Sequence, residues 1–169
     1  MNELDHEQSE DDFSLADLAG LDAGQIAEVR FEVLPAGVYG FRGIEAKLEE
    51  TENKDGERRF IMIAQFEVTE VKSVVNRDYR TEEAKAELIG RKHREKIYVV
   101  PAKAAEGLGQ IRAFIGDLGL PNEGPYGGVE GAEPGIIDGI VDHEFTAKIK
   151  AGTYNGSPTA NLMLERRKK

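Results

Sequence analysis

The acidic residues of this chain are concentrated in its first 35 positions, and this segregation limits which part of it can fold. Residues 1–35 carry ten of the 32 acidic residues but only one of the 22 basic residues, Arg30. The rest of the chain has 22 acidic and 21 basic residues, so the net charge of -10 belongs almost wholly to the amino-terminal segment. Because a ligand responds to the local field at a surface, the acidic total does not exclude a polyanionic partner.

Residues 1–35 are predicted to form an acidic and largely disordered arm. Its first 12 residues have too few apolar side chains to offset the entropy lost on ordering. Farther on, Ser14 followed by Asp17 is a variant of the capping box, and apolar residues with helical spacing predict a short amphipathic helix over 14–20. This helix either packs on its own domain or binds a partner. The candidate partner-binding residues are Asp11, Asp12, Phe13, Leu15 and Leu18.

Residues 36–165 are predicted to form one domain, a length sufficient to bury a core. The chain has no cysteine, which excludes disulfides, thiolate zinc sites and cysteine nucleophiles. No apolar run reaches the roughly 20 residues that span a bilayer, and the start lacks the features of a signal peptide. We therefore expect a soluble, cytoplasmic protein without a membrane partner.

The first half of this domain has the pattern of a β-hairpin. Alternating side chains predict strands over residues 38–48 and 58–71, joined by a loop that contains Asp55-Gly56, a pair suited to positive φ. In the first strand the alternation places Tyr39 and Phe41 on the side opposite the aliphatic residues that follow them.

The second half of the domain contains a helix and a further hairpin. The predicted elements are a loop with a helical turn near 81–88, a strand over 92–100, a helix over 108–118, a loop over 121–135, and a hairpin of strands 143–150 and 159–164, before the basic end 166–169. The predicted fold class is all-β with one main helix. This order of elements suits a five-stranded oligonucleotide-binding (OB) barrel or, alternatively, an α+β sandwich.

The sequence lacks the patterns that carry catalysis. It contains no phosphate loop of the Walker type, no Gly-x-Gly-x-x-Gly and no Gly-x-Ser-x-Gly. His93 with Glu95 and His143 with Glu144 are predicted to be exposed polar residues of strands rather than metal ligands. We predict no enzymatic activity, no cofactor and no metal.

Basic and aromatic residues are interleaved along the predicted strands. A single strand of nucleic acid is held by a positive groove that follows its phosphates and by aromatic rings on which bases stack. Arg94, Lys96 and Tyr98 share one face of the third strand because side chains alternate with a period of two. The candidate nucleic-acid-binding residues are Tyr39, Phe41, Arg42, Lys47, Arg58, Arg59, Arg91, Lys92, Arg94, Lys96, Tyr98, Lys148, Lys150 and Tyr154.

Each of these features also has an interpretation without nucleic acid. Tyr39 or Phe41 faces inward if the first strand is bulged, and the basic run 91–96 suits a sheet edge on which lysines discourage aggregation. Glutamates lie between the basic residues and can pair with them. The near-neutral domain therefore also suits a protein-binding module or a virion assembly component, and a homo-oligomer is left open.

Several segments resemble phage-encoded single-stranded DNA-binding proteins of the OB fold. The resemblance covers roughly residues 35–164. The segments that carry it are Leu34-Pro35-Ala36-Gly37-Val38-Tyr39, Gly56-Glu57-Arg58-Arg59-Phe60, Gly90-Arg91-Lys92 and the helix from Gly109 to Leu120. The resemblance implies a protein that coats or protects single-stranded DNA with little sequence preference during phage DNA replication or recombination, in the host cytoplasm.

One feature departs from this resemblance. Proteins of this class commonly carry an acidic tail with a terminal aromatic residue at the carboxyl end, whereas here residues 10–13 place those features near the front and residues 166–169 are basic. The resemblance still implies that the acidic arm modulates access to DNA or recruits replication and recombination proteins, because a flexible arm acts from either end.

Overall fold

The computed structural model describes residues 14–25 and 33–164 of the chain. The predictions for residues 1–13 and for the basic end 166–169 lie outside the described residues. The chain divides into two units, Met1–Glu32 and Val33–Lys169. No helix within the described ranges is long and apolar enough to cross a membrane.

The first unit contains a short helix, α1 (Leu15–Ala19), and a 3-10 turn over Ala23–Gln25. The helix begins after Ser14, whose hydroxyl accepts a hydrogen bond from the Asp17 backbone N–H at 3.1 Å. The Asp17 carboxylate accepts one from the Ser14 backbone N–H at 3.2 Å. These two bonds lower the pKa of Asp17 and confirm the predicted capping box, and the cap at Gly20 confirms the predicted end of the helix.

Within residues 33–164, the second unit contains five strands and two α-helices. Its elements are β1 (Gly37–Glu52), β2 (Arg58–Val74), a 3-10 turn over Arg77–Tyr79, α2 (Glu82–Leu88), β3 (Lys92–Val99), a 3-10 turn over Pro101–Lys103, α3 (Ala104–Asp117), a 3-10 segment over Ile136–Ile140, β4 (Glu144–Tyr154) and β5 (Ser157–Met163). The predicted order of strands and main helix is confirmed.

The five strands form one antiparallel sheet in the order β3-β2-β1-β4-β5. A closed barrel requires a further ladder between the edge strands β3 and β5. No such ladder is present among residues 33–164, so the sheet is open and the predicted barrel is not confirmed. The coarser prediction, a mostly β domain with one main helix, is confirmed.

A bulge in β1 decides which of its side chains enter the core. Gly43 is opposite Phe66 and Glu45 is opposite Gln65, so Ile44 is an extra residue in β1. An extra residue shifts the alternation by one position and exchanges the two faces beyond it. The prediction that Tyr39 and Phe41 face away from the aliphatic side of β1 is therefore wrong, because both halves of the strand direct their apolar residues to the same face.

The core lies between one face of the sheet and a cover made by α3 and the 3-10 segment. Phe66 of β2 packs against Phe114 of α3 with ring centroids 6.3 Å apart, and Ile137 and Ile140 are fully buried in the same cluster. Gly43 lets the 3-10 segment approach β1, because a Cβ at this position would lie 1.8 Å from the Ile140 carbonyl oxygen. We call the sheet face that α3 and the 3-10 segment cover the inner face, and the opposite face the outer face.

Both hairpin turns are shorter than the loops predicted from the sequence, because β1 continues to Glu52 and β4 to Tyr154. Gly56 has φ of 77° in the first turn, as the Asp-Gly pair predicts. In the second, Asn155 and Gly156 both have positive φ, and the strands continue to the residues beside them. The predicted loop over 151–158 is therefore too long, since an Asn-Gly pair closes a two-residue turn.

Candidate nucleic-acid interface

The outer face of the sheet carries most of the predicted basic residues. Residues directly opposite each other in an antiparallel ladder project to the same face. Starting from Arg42, which is opposite both Glu67 and Glu144, the register places the following predicted residues on the outer face: Arg42, Lys47, Arg59, Lys92, Arg94, Lys96, Tyr98, Lys148, Lys150 and Tyr154.

Five exposed basic residues of this face make no ion pair with any other described residue. They are Lys92, Arg94, Lys96, Lys148 and Lys150. Arg59 likewise has no carboxylate partner within the described chain, and its guanidinium carbon lies 4.3 Å from the ring centroid of Tyr98. These side chains are therefore available to bind an anion from solution.

A row of alternating charge crosses the outer face and divides it. The row consists of Lys92, Glu67, Arg42 and Glu144, each directly opposite the next on adjacent strands. Arg42 donates a hydrogen bond from Nε to Glu67 Oε1 at 3.1 Å and contacts the same oxygen through Nη2. Arg42 was predicted to bind nucleic acid, but its guanidinium is already engaged in an ion pair with Glu67.

Two separate surfaces result from this division. The β2–β3 surface contains Arg59, Ile61, Ile63, Gln65, Arg94, Lys96 and Tyr98. The β4–β5 surface contains Lys148, Lys150 and Tyr154. The structure therefore brings the predicted cations to one face of the sheet, but it arranges them as two clusters rather than one continuous stripe.

Three other predicted cations have partners or positions that set them apart. Lys47 forms ion pairs with Glu49 at 2.9 Å and Glu45 at 3.2 Å, and these carboxylates raise its pKa. Arg58 lies on the inner side of β2, where it pairs with Glu50 and lies over the ring of Phe60. We leave Arg58 out of the interface for this reason.

The third of these residues, Arg91, precedes β3 and is half-buried. Its carbonyl oxygen accepts a hydrogen bond from the Val68 N–H at 2.8 Å. Its positive charge acts toward lowering the pKa of Tyr39 in the core. Arg91 therefore has a structural environment that differs from that of the exposed residues of β3.

Tyr39 and Phe41 were predicted to bind nucleic acid, but the structure corrects this prediction because both residues are buried. Both side chains are 0% exposed on the inner face. Phe41 stacks on Phe145 with centroids 5.5 Å apart, and the Tyr39 hydroxyl donates to the Pro35 carbonyl oxygen at 2.5 Å. Burial also raises the pKa of Tyr39 to about 12. Neither ring can offer a face to a base while the domain is folded.

Tyr98 and Tyr154 are the predicted rings that reach solvent. Tyr98 is 41% exposed at the end of β3, and Tyr154 is 72% exposed beside the turn between β4 and β5. Each lies within its own basic surface. An exposed ring next to unpaired cations is the arrangement that holds a single strand by stacking and by phosphate contacts.

The sequence prediction missed three uncharged residues of the β2–β3 surface. Ile61, Ile63 and Gln65 lie opposite Tyr98, Lys96 and Arg94, respectively. Their signal is the uninterrupted apolar run 60–64, which indicates that both faces of this part of β2 are apolar. Ile61 is only 6% exposed and offers almost no surface to a ligand. Ile63 is partly exposed and adds apolar surface, and the Gln65 amide supplies a donor and an acceptor.

The predicted partner-binding residues divide between described and undescribed parts of the chain. Asp11, Asp12 and Phe13 lie outside the described residues. Leu15 is 85% exposed and Leu18 51% exposed on α1. The helix therefore presents apolar side chains within its own unit.

The histidines have local hydrogen-bond partners. His93 is only 8% exposed and its Nε2 lies 2.6 Å from Glu95 Oε1, so the prediction of an exposed strand residue is wrong for His93. His143 Nε2 lies 2.6 Å from the Leu118 carbonyl oxygen. In the described ranges, no group of three or more His, Asp or Glu side chains is arranged to hold a metal ion.

Comparison with known proteins leaves the family open, because no protein-family model matches the chain and no curated protein matches its sequence.

Proposed function

We propose that this protein binds single-stranded DNA through the β2–β3 surface with little sequence preference. The observation that carries the proposal is the coincidence, on one sheet face, of the exposed ring of Tyr98 with Arg94 and Lys96, which make no ion pair with any other described residue. The partly exposed Ile63 lies opposite Lys96 and adds apolar surface. Backbone phosphates attract the cations, and bases of any identity stack on a ring. Coating of single strands during phage DNA replication or recombination is the biological role that we infer.

We also propose that the domain is an open variant of the OB fold. The pairings β1 with β2, β2 with β3, β1 with β4 and β4 with β5 are those of that barrel without its closing ladder, and the helix lies between the third and fourth strands. In OB folds the face of strands 2 and 3 binds oligonucleotides. This likeness concerns the fold and supports the choice of surface only by analogy.

A titration under varied salt tests the proposal. The full chain is added to a fluorescein-labelled oligothymidylate of about 16 nucleotides, the upper range of site sizes for such folds. Anisotropy should show saturable binding that weakens with salt at a slope of about -0.7 per phosphate contact. An equal preference for a duplex of the same length, or an absence of binding at low salt, would contradict the proposal.

The acidic arm belongs to the same proposal as a modulator of affinity. Residues 1–32 carry ten acids and one base, so they oppose the approach of a polyanion through their charge. Every described member of the buried cluster lies at or beyond Leu34, so a chain without residues 1–32 keeps all of the core that the structure describes. Its affinity for the oligothymidylate should rise, most strongly at low salt.

A protein-binding module is the second candidate function, and the exposed Leu15 and Leu18 of α1 favour it. In this case the arm docks on another protein and the sheet serves as a scaffold. The same truncation distinguishes the two functions. The second predicts unchanged DNA affinity and the loss of a protein complex, whereas the first predicts tighter DNA binding.

A further inference from the structure

Arg59 combines a stacked position with an unsatisfied hydrogen-bond donor. Its guanidinium carbon lies 4.3 Å from the ring centroid of Tyr98. Its Nε is buried and has no hydrogen-bond partner among the residues that the structure describes. A buried donor of a charged group without an acceptor is unfavourable, so its presence in a folded protein requires an explanation. The guanidinium of Arg59 therefore contacts the Tyr98 ring, while its Nε donor lacks an acceptor among the described residues.

The neighbouring arginine shows that this arrangement is not general for the strand. Arg58 also lies over an aromatic ring, 5.0 Å from the centroid of Phe60, but it forms an ion pair with Glu50. Arg59 projects to the opposite face, where its directly opposite residue on β1 is Thr51. On the other side of β2, the ladder with β3 stops at the pair of Phe60 and Val99, one residue short of Arg59. No carboxylate is thus placed directly across the strand from Arg59.

We propose that Arg59 is a latch over Tyr98 that a bound nucleotide opens, an inference that rests on the proposed DNA-binding function. In the free protein the guanidinium covers one face of the ring. A phosphate of the strand draws the guanidinium away and supplies acceptors for its donors, because guanidinium and phosphate match in geometry. The uncovered ring face then accepts a base.

The latch couples phosphate binding to base stacking at one position. Since a base must displace the guanidinium, the cation-π contact opposes stacking in the free protein. Arg59 therefore lowers the contribution of bases to affinity while it raises the contribution of phosphates. A fixed platform, in which the base stacks on the guanidinium itself, has the opposite consequence, because removal of Arg59 then removes part of the stack.

Two oligomers of equal length and charge separate these contributions. The full-length protein is titrated with a labelled oligothymidylate and with an abasic oligomer of the same length, and the ratio of the two dissociation constants reports the contribution of the bases. In Arg59→Ala we expect weaker binding of the abasic oligomer. The preference for the thymidylate should rise about two- to fivefold, the effect of losing a competing cation-π contact.

Two further variants complete the experiment. Arg59→Lys keeps the charge but not the planar group, so it should retain abasic binding and still raise the thymidylate preference. Arg58→Ala removes the arginine of the inner side and should leave the preference unchanged. Thermal unfolding of each variant verifies that the domain is intact.

The outcomes separate the latch from the function on which it rests. A preference that falls or stays constant in both Arg59 variants, while the unaltered protein binds both oligomers, overturns the latch alone. Failure of the unaltered protein to bind either oligomer at low salt overturns the proposed function and the latch together.

Discussion

The inner and outer faces of the sheet use similar side chains for different purposes. On the inner face, Phe41 and Phe66 pack edge to face with their centroids 6.4 Å apart and are fully buried. On the outer face, Tyr98 keeps 41% of its surface exposed on the same strand as Arg94 and Lys96, which form no ion pair within the described part of the chain. An aromatic residue in an alternating strand therefore has no fixed role until its face is known.

The largest effect should come from truncating a ring of the inner face. Phe41→Ala leaves a cavity among Tyr39, Phe66 and Phe145, and we expect it to lower the free energy of unfolding by about 3–5 kcal/mol. Urea unfolding measures this loss. Tyr154→Ala, at a ring that is 72% exposed, is the control and should change stability by less than about 0.5 kcal/mol. Equal losses in the two variants would contradict the assignment of faces.

The next effect concerns DNA affinity and the ring of the outer face. Tyr98→Leu removes a stacking surface worth about 1–3 kcal/mol per base, so oligothymidylate binding should weaken about 5- to 150-fold. Anisotropy titration measures it. Phe41→Leu is the matched control, because it removes a buried ring and should leave the affinity of the folded fraction unchanged. A weaker affinity in Phe41→Leu and not in Tyr98→Leu would reverse the comparison.

A smaller effect is expected on the salt dependence of DNA binding when cations are removed from one or the other basic surface of the outer face. Arg94→Ala combined with Lys96→Ala should reduce the steepness of the salt dependence by about 1.4, at 0.7 per lost phosphate contact. Lys148→Ala combined with Lys150→Ala removes the same charge beyond the alternating row. We expect it to change the slope less, as shown by titrations over a range of salt concentrations. Equal changes would mean that the strand crosses the row and contacts both surfaces.

The smallest effect at neutral pH is expected at the buried tyrosine. Tyr39→Phe removes the hydrogen bond to the Pro35 carbonyl at a cost of about 0.5–1.5 kcal/mol. The raised pKa of Tyr39, about 12 against an ordinary 10.0, means that the fold favours the protonated phenol. Its contribution is complete below pH 10 and is lost as the pH rises toward 12.

Urea midpoints measured for both proteins from neutral pH to pH 12 test this sign. The difference between the unaltered protein and Tyr39→Phe should shrink and then reverse as the pH rises through this window, because phenylalanine has no proton to lose. A difference that stays constant with pH would show that Tyr39 ionises equally well in the folded and unfolded chains.

Local chemistry made several parts of the structure predictable. The Ser14 and Asp17 capping box, the turn at Gly56 and the end of α3 before Gly119 depend on interactions between residues close in sequence. Such interactions are largely the same in any fold. The placement of Arg94, Lys96 and Tyr98 on one face follows equally from the alternation of a single strand, since β3 has no bulge.

The predictions that were wrong depended on events between strands. The inward position of Tyr39 and Phe41 results from the bulge at Ile44, which appears only when β1 is set against β2. The pairing of Arg42 with Glu67, 25 residues away, required the same register. His93 was predicted to be exposed because the sequence does not show that β3 turns this residue toward Phe41.

Composition and short periodic patterns in the sequence establish the segregation of acidic charge, the number and order of the strands, and the position of the main helix. Only the folded chain shows which rings are buried, that a row of alternating charges divides the outer face into two basic surfaces, and that Arg59 covers Tyr98. These properties depend on which residues stand opposite each other on neighbouring strands. One extra residue in a strand changes that register without leaving a clear mark in the local sequence.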